Sequence, residues 1–241
     1  MNIKALLHTI AVRILLLFII GIGMIPIGIM MILPARMRYT NRLLFWMLNT
    51  LYWGILKVSL IPIAFKGREN IPTDQPVIFA SNHQSSIDIP LVGVLAHGKP
   101  HIWLARSELL KSLMLRFVLP RLAVVVDVNT QEKATSSLRS LMRIAQKSNA
   151  DIMIFPEGER HPDDAVHEFY GGFVILAKLL KRPVVPVYID GANRVYPPNT
   201  FLVNYYPVEV VVGKPFVLQE NETDEQFKQR VYQWFLDQSE K

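Results

Sequence analysis

From residue 66 onward, short apolar runs recur at a spacing that leaves few folds open. They lie at 76–80, 101–105, 122–127, 151–155, 183–189 and 207–212. Each is short and bounded by turn-forming residues, so each reads as a strand of a buried sheet. Helical patterns fill several of the gaps. The clearest covers 131–148, where Leu138, Leu141, Met142 and Ala145 fall at i, i+3, i+4 and i+7. Val174 to Leu180 continues the theme. Residues 224–238 read as a terminal amphipathic helix with Phe227, Val231 and Trp234 on one side. Strands alternating with helices predict an α/β domain, a mixed sheet flanked by helices. No internal repeat or low-complexity linker interrupts it.

The first 65 residues follow another pattern. Residues 14–33 carry no charge, and twenty residues at helical rise reach roughly 30 Å, the hydrocarbon thickness of a bilayer. A signal peptide would have a shorter apolar core followed by a small-residue cleavage site. Here Pro34-Ala35-Arg36 follows, so a retained anchor is expected. Pro26 predicts a kink, and with Gly21, Gly23 and Gly28 it admits a re-entrant hairpin as well as a span. Lys4 and Arg13 precede the run; Arg36, Arg38 and Arg42 follow it. That bias, one charge, places the C-terminal side in the cytoplasm. The stretch 43–65 interleaves Trp46, Tyr52, Trp53 and Lys57 with apolar residues, which suits an interfacial helix. A helix packed on the domain core is the other reading. The expected organisation is a membrane anchor and interfacial helix over 1–65 and an α/β domain over 66–241.

Composition narrows the chemistry. The chain has no cysteine, which excludes disulfides, a thiolate nucleophile, an acyl-cysteine intermediate and a Cys-based metal site. Hydrophobic residues make up 51% and the net charge is +6. With an apolar N-terminus, that charge predicts attraction to an anionic leaflet rather than to nucleic acid, for which no binding motif is present.

Two loops carry the reactive residue types. Asn82-His83-Gln84-Ser85-Ser86-Ile87-Asp88 leaves the strand at 76–80 and enters a helical stretch with Pro90 in its first turn. His83 thus stands at a strand end and Asp88 at a helix start, where open α/β sheets place their reactive groups. A neutral imidazole takes a proton near pH 7. A carboxylate on its other nitrogen fixes the tautomer and balances the imidazolium. A helix-start aspartate beside a satisfied loop histidine is the alternative. Ser85 and Ser86 lie in no G-x-S-x-G elbow and read as caps. In the second loop, Ile152-Met153-Ile154-Phe155 runs into Pro156-Glu157-Gly158-Glu159-Arg160.

An H-x4-D box followed by F-P-E-G and an arginine resembles the glycerolipid acyltransferase family, whose best-known members are the lysophosphatidate (1-acylglycerol-3-phosphate) acyltransferases. The resemblance continues, in the family's order, through Leu104-Ala105-Arg106-Ser107-Glu108-Leu109, Val126-Asp127-Val128-Asn129 and Pro183-Val184-Val185-Pro186-Val187-Tyr188-Ile189. It implies a membrane-bound O-acyltransferase of phospholipid biosynthesis. Such an enzyme moves a fatty acyl group from acyl-CoA or acyl-carrier protein to a lysolipid hydroxyl, without cofactor or metal. It implies His83 as base and Asp88 as its orienting partner. Glu157, Gly158 and Arg160, with Asn82 and Arg106, would serve the acceptor. A turn-satisfying carboxylate is the other reading of Glu157. The expected partners are a membrane lipid and the acyl donor, with no nucleic acid. The expected place is the inner or cytoplasmic membrane, with the catalytic domain facing the cytoplasm.

The chain departs from the family at three positions. Val128 stands where an arginine is usual, Tyr170 where a lysine is usual, and Glu159 where threonine or glycine follows P-E-G. Two cations are missing near an acceptor phosphate unless Arg106, Arg121 or Lys181 compensates, so a non-phosphate lysolipid such as a lyso-amino-acid lipid is an alternative acceptor. A lipid hydrolase would use the same His83–Asp88 pair with water in place of the lysolipid. A non-catalytic membrane protein on the same fold would need none of these groups, and the intact His83, Asp88, Glu157 and Arg160 weigh against it. His161, Asp163, Asp164, His167 and Glu168 match no zinc or calcium spacing and read as a solvated loop. Asn221-Glu222-Thr223 is a sequon without consequence on a cytoplasm-facing domain.

Overall fold

A computed structural model describes residues 3–127, 130–161, 163–197 and 200–240. The chain runs through α1 (Ile3–Ile32), α2 (Ala35–Arg38), α3 (Arg42–Val58), β1 (Ile63–Lys66), β2 (Ile78–Ser81), α4 (Asp88–Gly93), β3 (His101–Arg106), α5 (Leu113–Leu122), β4 (Ala123–Val126) and α6 (Gln131–Ser148). It continues through β5 (Asp151–Ile154), α7 (Gly172–Leu180), β6 (Val184–Asp190), α8 (Ala192–Val195), β7 (Val208–Val212) and α9 (Asp224–Ser239). The six apolar runs become β2 to β7. The seventh strand, β1, was hidden inside the stretch expected to be interfacial. Its four residues alternate half-buried and exposed, as an edge strand does, so they carry no long apolar run. Helix α5 was not expected either, because its apolar residues show no single buried face.

The sheet order is β1-β7-β6-β2-β5-β3-β4. Only the β6–β7 pair is antiparallel among these neighbours. Strand β2 lies in the interior, and all four of its residues are buried. The chain leaves β2 toward β3 on one side and leaves β5 toward β6 on the other. Right-handed crossovers in opposite directions put α4 and α7 on opposite faces. The topological switch point therefore falls between β2 and β5, at the C-terminal ends of the strands. Helix α7 packs against α6 on one side and α9 on the other, all three lie on the sheet, and α3 packs on α4.

Local signals set the helix ends. Thr130 accepts from the backbone N–H of Lys133 to open α6, and Thr223 with Gln226 forms a capping box on α9. The core is continuous from sheet to N-terminal helices. Phe79, Ile152, Phe173, Phe227 and Phe235 share one buried cluster with Leu44, Phe45, Leu48, Tyr52 and Leu56 of α3. A Cβ at Gly93 would stand 2.4 Å from the Tyr52 ring, so α4 meets α3 at its glycine. Packing thus continues across the expected boundary at residue 65.

Helix α1 has 30 residues and is about 45 Å long at 1.5 Å per residue. It is fastened near both ends. Thr9 Oγ1 accepts from the Val203 N–H at 3.0 Å, and Arg13 donates to the Phe201 carbonyl at 3.1 Å. Past its other end, buried Arg38 donates to the Leu33 carbonyl at 3.0 Å and to the Arg121 carbonyl of α5 at 2.9 Å. Between these ties α1 packs on α3, and much of its apolar surface, including Leu7, Ile14, Leu17, Phe18 and Ile25, stays uncovered.

Candidate active site

The two reactive loops emerge side by side at the switch point. The first leaves β2. The side chain of Asp88 is fully buried where α4 begins, and its Oδ2 accepts from the backbone N–H groups of Gln84 and Ser85, each at 2.7 Å. The same oxygen lies 2.8 Å from His83 Nδ1. Asp88 has no N–H to offer there, so Nδ1–H donates and Nε2 is left as the acceptor. The dyad is therefore built by the fold of a single loop, whose own amides hold the carboxylate in place.

The imidazole is also fixed from its face. Phe155, at the end of β5, stacks on it with centroids 3.8 Å apart and planes 9° from parallel. Trp103 of β3 stacks behind Phe155 at 5.4 Å. The Trp103 indole N–H donates to the Tyr52 hydroxyl of α3 at 3.3 Å. Sequence reasoning counted Phe155 as a strand residue and missed this role. The available signal was an aromatic at a strand end directly before a motif turn.

The second loop is stitched to the first. The His83 N–H donates to Glu157 Oε1 at 3.1 Å, and the His161 N–H donates to the His83 carbonyl at 2.9 Å. Arg160 donates to Ser86 Oγ at 2.7 Å, so the exposed serine, not the buried Ser85, touches the arginine. Burial of Glu157 pushes its carboxyl up to about 8. The His83 and His167 amides oppose the rise, and the nearby charges of Asp88 and Asp163 add to it. Gly158 turns the chain with φ +78°, a conformation that favours glycine, and a Cβ there would stand 2.9 Å from the Tyr170 ring.

Residues 62–190 match the model of the Acyltransferase family. The chain belongs to that family. A chloroplastic 1-acyl-sn-glycerol-3-phosphate acyltransferase of Brassica napus is 28% identical over 62% of this chain and 44% of its own length. A 1-acyl-sn-glycerol-3-phosphate acyltransferase of Pseudomonas aeruginosa is 27% identical over 79% of this chain and 73% of its own. The chain spans about half the length of the plant relatives it matches. The crystal structure of the 1-acyl-sn-glycerophosphate acyltransferase from Thermotoga maritima shares the fold, with a TM-score of 0.77 at 23% identity over 99% of this chain and 95% of that one.

Of the three cations named as substitutes, only Arg106 lies at the site. It ends β3, and its Nη1 would be 3.6 Å from a Cβ at Gly158. Arg121 lies near the end of α5, just before β4, and Lys181 lies just before β6, so both sit by the N-terminal ends of these parallel strands, away from the site at the C-terminal ends. Arg106 is gripped in a fork by Glu108, at 3.2 and 3.1 Å. That contact, with Tyr170 and Glu159 nearby, pushes the guanidinium pKa further up. Val128 lies outside the described residues. Asn82 is buried, and its amide is committed to the sheet: it donates to the Ile189 carbonyl and accepts from the Ile189 N–H, each at 2.8 Å. In the following loop Asp163 pairs with His167, which stacks on His161, and Asp164 pairs with Arg194.

Proposed function

We propose that this protein is a membrane-bound O-acyltransferase that moves a fatty acyl group from acyl-CoA or acyl-carrier protein to a lysolipid hydroxyl, with lysophosphatidate as the acceptor and phosphatidate as the product. The observation that carries the reading is the His83–Asp88 pair at the switch point, with Nε2 free to accept a proton and Arg160 and Arg106 on the same edge. The acceptor O–H gives its proton to His83 Nε2 as its oxygen attacks the thioester carbonyl. Asp88 balances the imidazolium. The tetrahedral intermediate then collapses, the C–S bond breaks, and the imidazolium returns the proton to the leaving thiolate. General-base help of this kind is worth about 10²–10⁴-fold.

The uncovered apolar surface of α1 supports membrane binding. A helix tied to one body near both ends does not cross a layer of about 30 Å with its ends on opposite sides; it lies in the leaflet, with α3 beneath it. The compartment that fits is the cytoplasmic membrane, with the site on the cytoplasmic side.

A second reading of the acceptor follows from Tyr170, Glu159 and the Arg106–Glu108 fork. With Arg106 offset by Glu108, Arg160 is the principal cation left for an anion. A phosphomonoester carries nearly two charges near pH 7, whereas a carboxylate of a lyso-amino-acid lipid carries one.

The test is a panel of lysolipids with labelled acyl thioester, read by product mass, for the wild type and His83→Ala. An acylated lipid whose formation drops by about 10³-fold in a folded His83→Ala variant is expected. Free fatty acid as the sole His83-dependent product would make the protein a hydrolase instead.

A further inference from the structure

The chain's least explained surface is the outward side of α5. Its exposed positions are Leu113, Arg116, Phe117 and Pro120, with Arg121 beside them. These follow the i, i+3, i+4, i+7 spacing of one helical face. In a water-facing helix that face carries polar residues; here Leu113 is 74% exposed and Phe117 63%. Exposed Leu109 and Lys111 extend the face into the preceding turn. No carboxylate occurs between Glu108 and Asp127, and Glu108 is held by Arg106. An apolar face with interleaved cations and no acid complements a surface that is apolar within and negatively charged outside.

We propose that the outward face of α5 docks on the anionic phospholipid leaflet. Leu109, Leu113 and Phe117 enter the acyl boundary, while Lys111, Arg116 and Arg121 meet headgroup phosphates. Helix α5 abuts α1, and Arg38 ties the two elements, so the membrane-bound surface widens from a single helix to a platform. One turn, Ser107–Lys111, separates α5 from Arg106 at the end of β3. Docking α5 therefore holds Arg106 at headgroup depth, where an anionic lysolipid reaches it without leaving the leaflet. This rests on the reading of α1 as a leaflet-bound helix.

The absence of cysteine makes the test direct. Leu113→Cys, Phe117→Cys, Phe18→Cys on α1 and Gln233→Cys on exposed α9 are each labelled with an environment-sensitive dye in the full-length protein. They are mixed with phosphatidylcholine vesicles, with and without phosphatidylglycerol, carrying acyl-chain nitroxides. Loss of emission at 113 and 117 comparable to that at 18, with none at 233, is expected. The loss at 113 and 117 should need phosphatidylglycerol and diminish when Lys111→Gln and Arg116→Gln are added. Quenching at 18 alone would overturn the role of α5 and leave that of α1 standing. No quenching anywhere would overturn both. A lipid-independent shift at 113 and 117 that rises with protein concentration would assign the face to a second copy of the chain.

Discussion

At the scale of single residues, the carboxyl of Glu157 sets a measurable pH dependence. Its ordinary value is near 4.5, and burial raises it to about 8 in the folded chain. The folded state therefore binds more protons than the unfolded state across that window. Stability falls as pH rises between these values, by up to about 1.4 kcal/mol per pH unit, and levels off above about 8. Glu157→Gln removes the titration. Denaturant midpoints of the two proteins should coincide near pH 4 and separate by pH 8, the variant being the more stable. Parallel curves across the range would place an ionised Glu157 in the fold. Tyr170 sets the other expectation at this scale. Tyr170→Lys beside Arg106 should raise turnover of lysophosphatidate relative to non-phosphate lysolipids, by roughly tenfold for one charge-assisted contact of about 1.5 kcal/mol. A wild type that already prefers lysophosphatidate over every other acceptor, with no gain in the variant, would remove the carboxylate-acceptor reading.

At the scale of elements, the site depends on how β2 and β5 end. Both loops leave the switch point, and three hydrogen bonds register them: the His83 N–H on the Glu157 carboxyl, the His161 N–H on the His83 carbonyl, and the Arg160 guanidinium on the Ser86 hydroxyl. Asn82 extends the β2–β6 pairing by one residue through its side chain, clamping Ile189 from both sides. Asn82→Ala leaves both peptide groups of Ile189 without partners in a buried place, at about 1–3 kcal/mol each. A loss of about 2–6 kcal/mol in unfolding free energy is expected, with acceptor KM in the surviving folded fraction changed far less. An Asn82→Ala protein of full stability but raised KM would make this residue a ligand contact.

At the scale of the whole molecule, the N-terminal helices serve different ends. Helix α3 places Phe45, Leu48, Tyr52 and Leu56 in the common core. Helix α1 leaves most of its apolar surface outside. Deleting residues 1–33 should therefore give a chain that still unfolds cooperatively, with helical signal lowered only by the loss of α1, and loses most vesicle flotation, while deleting 1–65 should give an aggregated one. Flotation undiminished by the shorter deletion would assign membrane binding to the remaining surface alone. Equal folding of both deletions would show α3 to be dispensable to the core.

The sequence alone determined what depends on local order. Short apolar runs marked six of the seven strands and the 3.6-residue period marked helices α6, α7 and α9, because burial on both faces of a strand or one face of a helix leaves its pattern in the chain. The pairing of His83 with Asp88 was legible because it is local: six residues of one loop contain both groups and the amides that hold them. Strand β1 and helix α5 left no such mark, since an edge strand and a helix with apolar residues on its outer side break the inside-outside rule. Tertiary structure decided whatever joins distant segments. It set Phe155 against His83, Arg160 on Ser86, Asn82 on Ile189, Arg106 rather than Arg121 or Lys181 at the site, and both ends of α1 against the domain. These contacts bridge dozens of residues or more, and their partners are chosen by strand order and crossover handedness, which no stretch of sequence encodes by itself.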